Sequence, residues 1–205
     1  MMKVSEIDAA ALREITPGTS VAHQFPGRWS PRAMDGTALT RDTIRAVLEA
    51  ARWAPSCFNA QPWRFAYVLR DSEHWEQLFK CLVEGNKAWA RRAGALIAII
   101  TRSEYERDGK PAPTHSFDGG AAWMSLALQA SELGLVAHAM QGFDGEAARF
   151  ALAVPEVYDL PAIIAVGYPG EVENLPDGYR ERESPSPRKT LDEIVYEGSF
   201  REMSS

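Results

Sequence analysis

The chain has 205 residues, 45% hydrophobic and 24% charged, with a formal net charge of -6 at pH 7. That balance is ordinary for one globular domain large enough to bury a real core. It leaves no basic excess for neutralising a phosphate backbone, so nucleic acid is not the expected partner, although one local basic pocket remains compatible with it.

The first residues, MMKVSEIDAA, carry Lys3 but no apolar stretch of leader type, and the longest apolar run, around 95–100, is far short of a membrane span. A cytoplasmic protein without membrane segments is expected. Cys57 and Cys81 supply neither a disulfide framework nor metal-ligand spacing. The whole of 1–205 reads as one domain, with 171–205 as a C-terminal arm.

Residues 4–15 predict an amphipathic helix, with Val4, Ile7, Ala11 and either Leu12 or Ile15 on one face and Ser5 as N-cap. Pro17-Gly18 ends it, and 19–27 reads as a loop. Arg28-Trp29-Ser30-Pro31-Arg32 then sets two guanidiniums and a hydroxyl within five residues. Such forks match anionic oxygens, although a solvated basic turn has the same composition.

Thr40 caps a helix over 41–53, in which Ile44, Val47, Leu48 and Ala51 recur at helical spacing. Pro55 stops that helix, and the loop 56–61 follows. Pro62 is expected to hold Gln61 extended, and 63–69 reads as a strand. The loop presents Ser56, Asn59 and Gln61 between two rigid elements. Loops so held are where binding groups commonly sit, and an amide such as Asn59 suits the mixed edge of a heterocycle. The same residue types also make ordinary turns.

Asp71 or Ser72 caps a helix running to about Cys81, a small core residue, and 86–92 reads as one or two helical turns carrying Trp89. ALIAIIT, 95–101, is a buried central strand. The polar stretch 102–116 is a loop with Gly109, Pro111 and Pro113. A long helix covers 117–133, with Asp118 favourable at its start and Gly134 at its end. A strand over 135–140 leads to Gln141-Gly142-Phe143-Asp144, where Asp144 caps a helix to Leu152. His138, a lone histidine in that strand, reads as structural. Residues 160–166 form another buried strand. The stretch 171–187, rich in Pro, Gly and charge, reads as an extended arm, and Leu191, Ile194, Val195 and Phe200 give its end apolar groups to bury on a neighbour.

PSCFNAQPWRF, 55–65, resembles the P-S-S-x-N-x-Q-P-W-x-F signature of the FMN-dependent nitroreductase family. RWSPR at 28–32, DGGAAWMSLALQASELGL at 118–135, the GLxxHxMQGFD pattern at 134–144 and SPRKTLDEIV at 186–195 resemble further segments of that family, in the same order. The resemblance implies an α+β fold: a mostly antiparallel central sheet flanked by helices, with the C-terminal arm exchanged in a homodimer. It implies FMN as cofactor, with NAD(P)H and a small-molecule electron acceptor as partners. It places Arg28 on the FMN phosphate and Ser30 on the ribityl–phosphate region. Arg32 falls beside the N1/C2=O side of the flavin, where it would stabilise the reduced form. Trp29, where members often carry Arg or His, and the loop residues Pro55, Ser56, Cys57 and Asn59 join the cofactor set. Backbone N–H groups of Gln141 and Gly142 point at flavin N5 and O4, and Arg188 matches a phosphate-binding arginine. No side-chain acid or nucleophile is implied, since flavin N5 carries the ping-pong hydride transfer to nitroaromatics or quinones. A flavin-binding sensor or storage protein, or another flavin chemistry such as dehalogenation or dehydrogenation, has the same cofactor residues.

Overall fold

The computed structural model describes residues 2–200, so residues 1 and 201–205 of the expected domain and arm lie outside it. Four antiparallel strands make one sheet in the order β1-β2-β4-β3: β1 Trp63–Leu69, β2 Ala95–Arg102, β3 Val136–Met140 and β4 Tyr158–Gly167. The helices are, in chain order, α1 Gln24–Gly27, α2 Arg41–Arg52, α3 Trp75–Phe79, α4 Glu84–Ala90, α5 His115–Glu132, α6 Gly145–Ala151, α7 Asp177–Arg180 and α8 Leu191–Ile194. This is the α+β, antiparallel architecture that the sequence implies.

The central strands are apolar over 95–100 and 160–166, where both sheet faces are covered. Leu96, Ala98 and Ile163 pack into one core with Trp75, Leu78 and Trp89, contributed by α3 and α4. Ile97, Ile99 and Ile164 pack into the other with Ile44 and Val47 of α2 and Leu126 of α5. α2 forms where expected: the Thr40 hydroxyl accepts from the Thr43 N–H at 3.1 Å, and Ile44, Val47 and Ala51 face the sheet. Asp144 caps α6 in the same way, accepting from Ala147 N–H at 3.0 Å.

Four local expectations are corrected. The helix over 4–15 is only a 3-10 turn, Val4–Glu6, and Ser5 is not its cap. Asp8 Oδ1 accepts from the N–H groups of Ala10 and Ala11, each at 3.1 Å, so its carboxylate competes with helix propagation. The chain start is also held elsewhere, since Val4 N–H donates to Gly170 O and Val172 N–H to Met2 O. Within 19–27, the expected loop contains α1. The helix from 71 or 72 to 81 shrinks to α3, because the Ser72 hydroxyl donates back to Leu69 O at 2.8 Å and caps nothing. The stretch 171–187 is not an extended arm over its first part: Val172 and Leu175 enter the core and the Glu183 side chain is fully buried. Apolar side chains spaced between its polar residues are enough to fold it back onto its own chain.

The segment after Arg32 is clipped to the end of β4. Gly170 N–H donates to Ala33 O at 2.9 Å and Asp35 N–H to Tyr168 O at 3.1 Å. A Cβ on Gly170 would sit 2.5 Å from the Met34 carbonyl oxygen, which is backbone and cannot rotate away. Gly170→Ala is therefore expected to lower unfolding free energy by about 1–3 kcal/mol in urea titration. Gly178→Ala, whose Cβ meets open space, serves as the control and should change stability by less than about 1 kcal/mol. Equal stability of the two variants would show that the 33–35 clip is soft.

Candidate functional site

Arg28, Trp29, Ser30 and Arg32 do converge, with Arg188, on one cleft of ≈ 590 Å³ beside the edge strand β3. Arg13, Arg182 and His138 also line it, so five guanidiniums face one lining carboxylate, Glu181. The local chain is built to present them. Arg13 Nη1 donates to the carbonyls of Pro26 at 2.7 Å and Arg28 at 2.8 Å, which fixes the entry to the 28–32 segment. Arg28 Nη1 donates to Ser30 Oγ at 3.1 Å. The Nε atoms of Arg13 and Arg28 are buried without a hydrogen-bond partner among the described residues. Burial first, then the charges of Arg13 and Arg188, pull the Arg28 guanidinium below its usual pKa. Buried donors and crowded like charges are what an anion would relieve.

Glu183 holds this segment from behind. Its Oε1 accepts from Arg32 N–H at 2.5 Å and Ala33 N–H at 2.8 Å, and its Oε2 lies 3.6 Å from Arg32 Nη1. Burial pushes the Glu183 carboxyl up, while the Ala33 and Arg32 N–H groups and the Arg32 charge oppose that shift. Arg32 also lies over the Tyr179 ring at 5.9 Å.

The loop 56–61 is a separate structure. Cys57 N–H donates to both carboxylate oxygens of the buried Asp118, at 3.3 Å each, so the first turn of α5 anchors it. Ser56 Oγ accepts from Gln61 N–H at 2.9 Å. Gln61 is not extended as Pro62 led us to expect: it is left-handed at φ 48°, held by that hydroxyl, and a proline disfavours only the right-handed helical region before it. Phe58 at φ 53° and Asn59 at φ 54° are left-handed too. Three such residues in one short loop store strain of order 1–3 kcal/mol each, which marks functional loops more often than plain turns. The Asn59 side-chain amide is exposed and makes no hydrogen bond among the described residues. Pro55 is exposed, and Cys57 lies 3.5 Å from the Tyr105 hydroxyl.

Gln141 and Gly142 follow β3. The Gly142 carbonyl accepts from Val83 N–H at 3.1 Å and Asn86 Nδ2 at 2.9 Å. The N–H groups of Gln141 and Gly142 make no hydrogen bond among the described residues. A Cβ on Gly142 would sit 2.8 Å from Asn86 Nδ2 and would displace the amide that donates to the Gly142 carbonyl.

Neither Pro55, Ser56, Cys57 and Asn59 nor Gln141 and Gly142 line the arginine cleft. The loop 56–61 leads into Trp63 at one edge of the sheet, while His138 of the cleft is on the opposite edge, in the row of Val68. Three strand spacings across and about five residues along separate the two by roughly 20 Å. Sequence reading missed Arg13, Arg182, His138 and Glu183. Arg13 lay inside an expected helix and Glu183 inside an expected arm, so no local pattern marked either.

The fold and the cleft define an antiparallel α+β protein with a basic recess at one sheet edge. A sequence profile of the Nitroreductase family matches residues 26–88 and 76–168, most of the chain, and the chain belongs to that family. It is 28% identical over 184 residues to an NADH dehydrogenase of Thermus thermophilus, spanning 74% of this chain and 83% of that one. A crystal structure of an oxidoreductase containing FMN is 41% identical with a TM-score of 0.88, covering 93% of this chain and 97% of its own. A nitroreductase family protein of Streptococcus pneumoniae, 20% identical, shares the fold at a TM-score of 0.69 over 83% of this chain and 96% of its own.

Glu183→Ala removes the acceptor of two backbone N–H groups and is expected to cost about 1–3 kcal/mol of stability by denaturant titration. Glu183→Gln keeps an acceptor oxygen and should recover part of that loss. An alanine variant as stable as the parent would mean that the 28–32 segment holds its shape unaided.

Proposed function

We propose that the chain is an FMN-dependent oxidoreductase that uses NAD(P)H to reduce electron-poor acceptors such as nitroaromatics or quinones. The observation that carries this reading is the cleft where Arg28, Ser30, Arg32 and Arg188 meet, in a chain 41% identical to an oxidoreductase containing FMN. The residues fit such a group: buried, unpartnered Nε donors of Arg13 and Arg28 and crowded guanidiniums suit a phosphate. Bound there, FMN would supply the hydride chemistry between NAD(P)H and the acceptor.

The protein supplies position and charge. Arg28 and Arg188 hold the phosphate, and Ser30 the ribityl end beside it. Arg32, steadied by Glu183 and Tyr179, offsets the negative charge that reduction leaves near N1 and O2. The unused N–H groups of Gln141 and Gly142 would serve the ring edge, and Trp29, Pro55, Ser56, Cys57 and Asn59 would complete its surroundings.

That assignment needs two chains. The loop 56–61 and the arginine cleft lie at opposite sheet edges, so a homodimer that brings one copy's loop to the other copy's cleft satisfies both. Leu191, Ile194 and Val195 are exposed on the single chain and are the groups the arm would bury on its neighbour. No helix among the described residues is long and apolar enough to cross a membrane, and both cysteines are free, which suits a reducing cytoplasm.

Purified protein should be yellow, or become so with FMN, and should oxidise NAD(P)H in the presence of a nitroaromatic or a quinone. A colourless protein that FMN cannot reconstitute overturns the reading. Arg28→Ala is expected to weaken FMN binding by about 1.5–3 kcal/mol, read as a 10- to 100-fold rise in the fluorescence-derived Kd. An unchanged Kd would reduce Arg28 to a scaffold charge.

Truncation after Ser184 keeps Val172, Leu175 and Glu183 in place and removes Arg188 with the apolar end. It should yield a folded monomer that has lost FMN. A yellow dimer by light scattering with absorbance on the same peak would make the arm dispensable.

A further inference from the structure

His138 stands apart from the family assignments. Its ring packs on Trp89 of α4 with centroids 4.7 Å apart, and it lines the same cleft as Arg28, Ser30, Arg32 and Arg188. Its Nδ1 is buried with no hydrogen-bond partner among the described residues. The groups that face it are the Arg32 and Arg28 guanidiniums and the Ser30 and Pro31 carbonyls, with Trp89 from α4 and Ala165 beside it on β4. Across the cleft stand Arg13, Arg182, Arg188 and Glu181.

We propose that His138 is a ligand-linked proton site: a phosphate dianion seated among these arginines draws a proton onto the imidazole, which then becomes part of the binding charge. The proposal rests on the reading of the cleft as a phosphate pocket. In the open cleft, burial first and then the Arg32 charge hold His138 down to about 4, with Arg28 adding to the effect and the two carbonyls opposing it. An anion cancels the guanidinium contribution and reverses its sign. The pKa with ligand is then higher than the pKa without, so binding takes up a proton. Affinity accordingly rises as pH falls through the bound-state value, and the gain levels off near the free-state value of about 4. No atoms beyond that proton are exchanged, and water supplies it.

The second ionisation of the phosphate itself, near pH 6, works in the opposite direction. It is common to the parent and to His138→Asn, so their ratio isolates the histidine. Kd for FMN is measured by fluorescence between pH 8 and 5 for both proteins, and proton uptake by calorimetry in two buffers of different ionisation heat. The ratio of variant to parent Kd should grow as pH falls, about tenfold for each pH unit below the bound-state pKa of His138. The parent should take up more protons than the variant at pH values between the free-state and bound-state pKa of His138. Riboflavin, which lacks the phosphate, should show no such difference.

Superimposable pH profiles with equal proton uptake overturn the proposal, and a riboflavin difference as large as that for FMN overturns its assignment to the phosphate. Failure of both proteins to bind FMN at any pH would instead sink the function proposed above. The imidazole carbon–proton NMR signal of the unmutated protein guards against a misfolded variant: His138 should titrate at a clearly higher pH with FMN bound than without. Equal titration in the two states counts against the linkage.

Discussion

Like charges confined to one recess repel, and at the arginine cleft little in the chain answers them. Two unit charges ~8 Å apart repel by about 2 kcal/mol at an effective dielectric near 20. Here five guanidiniums share one cleft, with Glu181 on its lining and Glu183 behind Arg32. The surroundings make that arrangement possible. Arg13 is held by two carbonyls and Arg32 by a buried carboxylate. Each clamp limits how far a guanidinium can swing away from its neighbours. The cleft therefore stays preorganised, and the binding of an anion releases repulsion with little new ordering.

The second constraint is the width of the sheet. A four-stranded sheet with covered faces leaves its two edges as the places where groups can reach a ligand from the strand plane. The chain places polar groups at both, and it strains one of them. Phe58, Asn59 and Gln61 take left-handed conformations to turn from α2 into β1, with the Asp118 carboxylate and the Ser56 hydroxyl holding the loop. This loop costs backbone strain and leaves its Asn59 amide facing solvent rather than its own chain.

Much of this was legible in the sequence where the signal is local. The bounds of β1 follow from Pro62 and the apolar run to Leu69, and the caps at Thr40 and Asp144 are three-residue patterns. The 28–32 segment and Arg188 carry the cleft's motifs, and they do meet. What failed was decided by competing side chains or by distant ones. Asp8 bonded to nearby backbone and cut the first helix short, Ser72 bonded back to Leu69 instead of capping one, and Ser56 turned Gln61 left-handed against the expectation from Pro62. Glu183 was invisible because its partners lie 151 and 150 positions earlier. His138 read as a core residue because a strand pattern gives its neighbours along the chain but not the loop that lies across it.

The Glu183 clasp has a consequence for when the pocket first exists. Arg32 is made early in synthesis and Glu183 late, so the emerging chain must carry the 28–32 segment unclasped while nearly all the intervening residues are added. Domains condense as their chain is completed, and contacts this remote in sequence close last. A nascent chain that has not yet exposed Glu183 and Arg188 lacks both the clasp and one wall of the recess. The recess is thus a property of the nearly finished chain: no shorter N-terminal stretch contains both the guanidiniums of its floor and the carboxylate that clasps them.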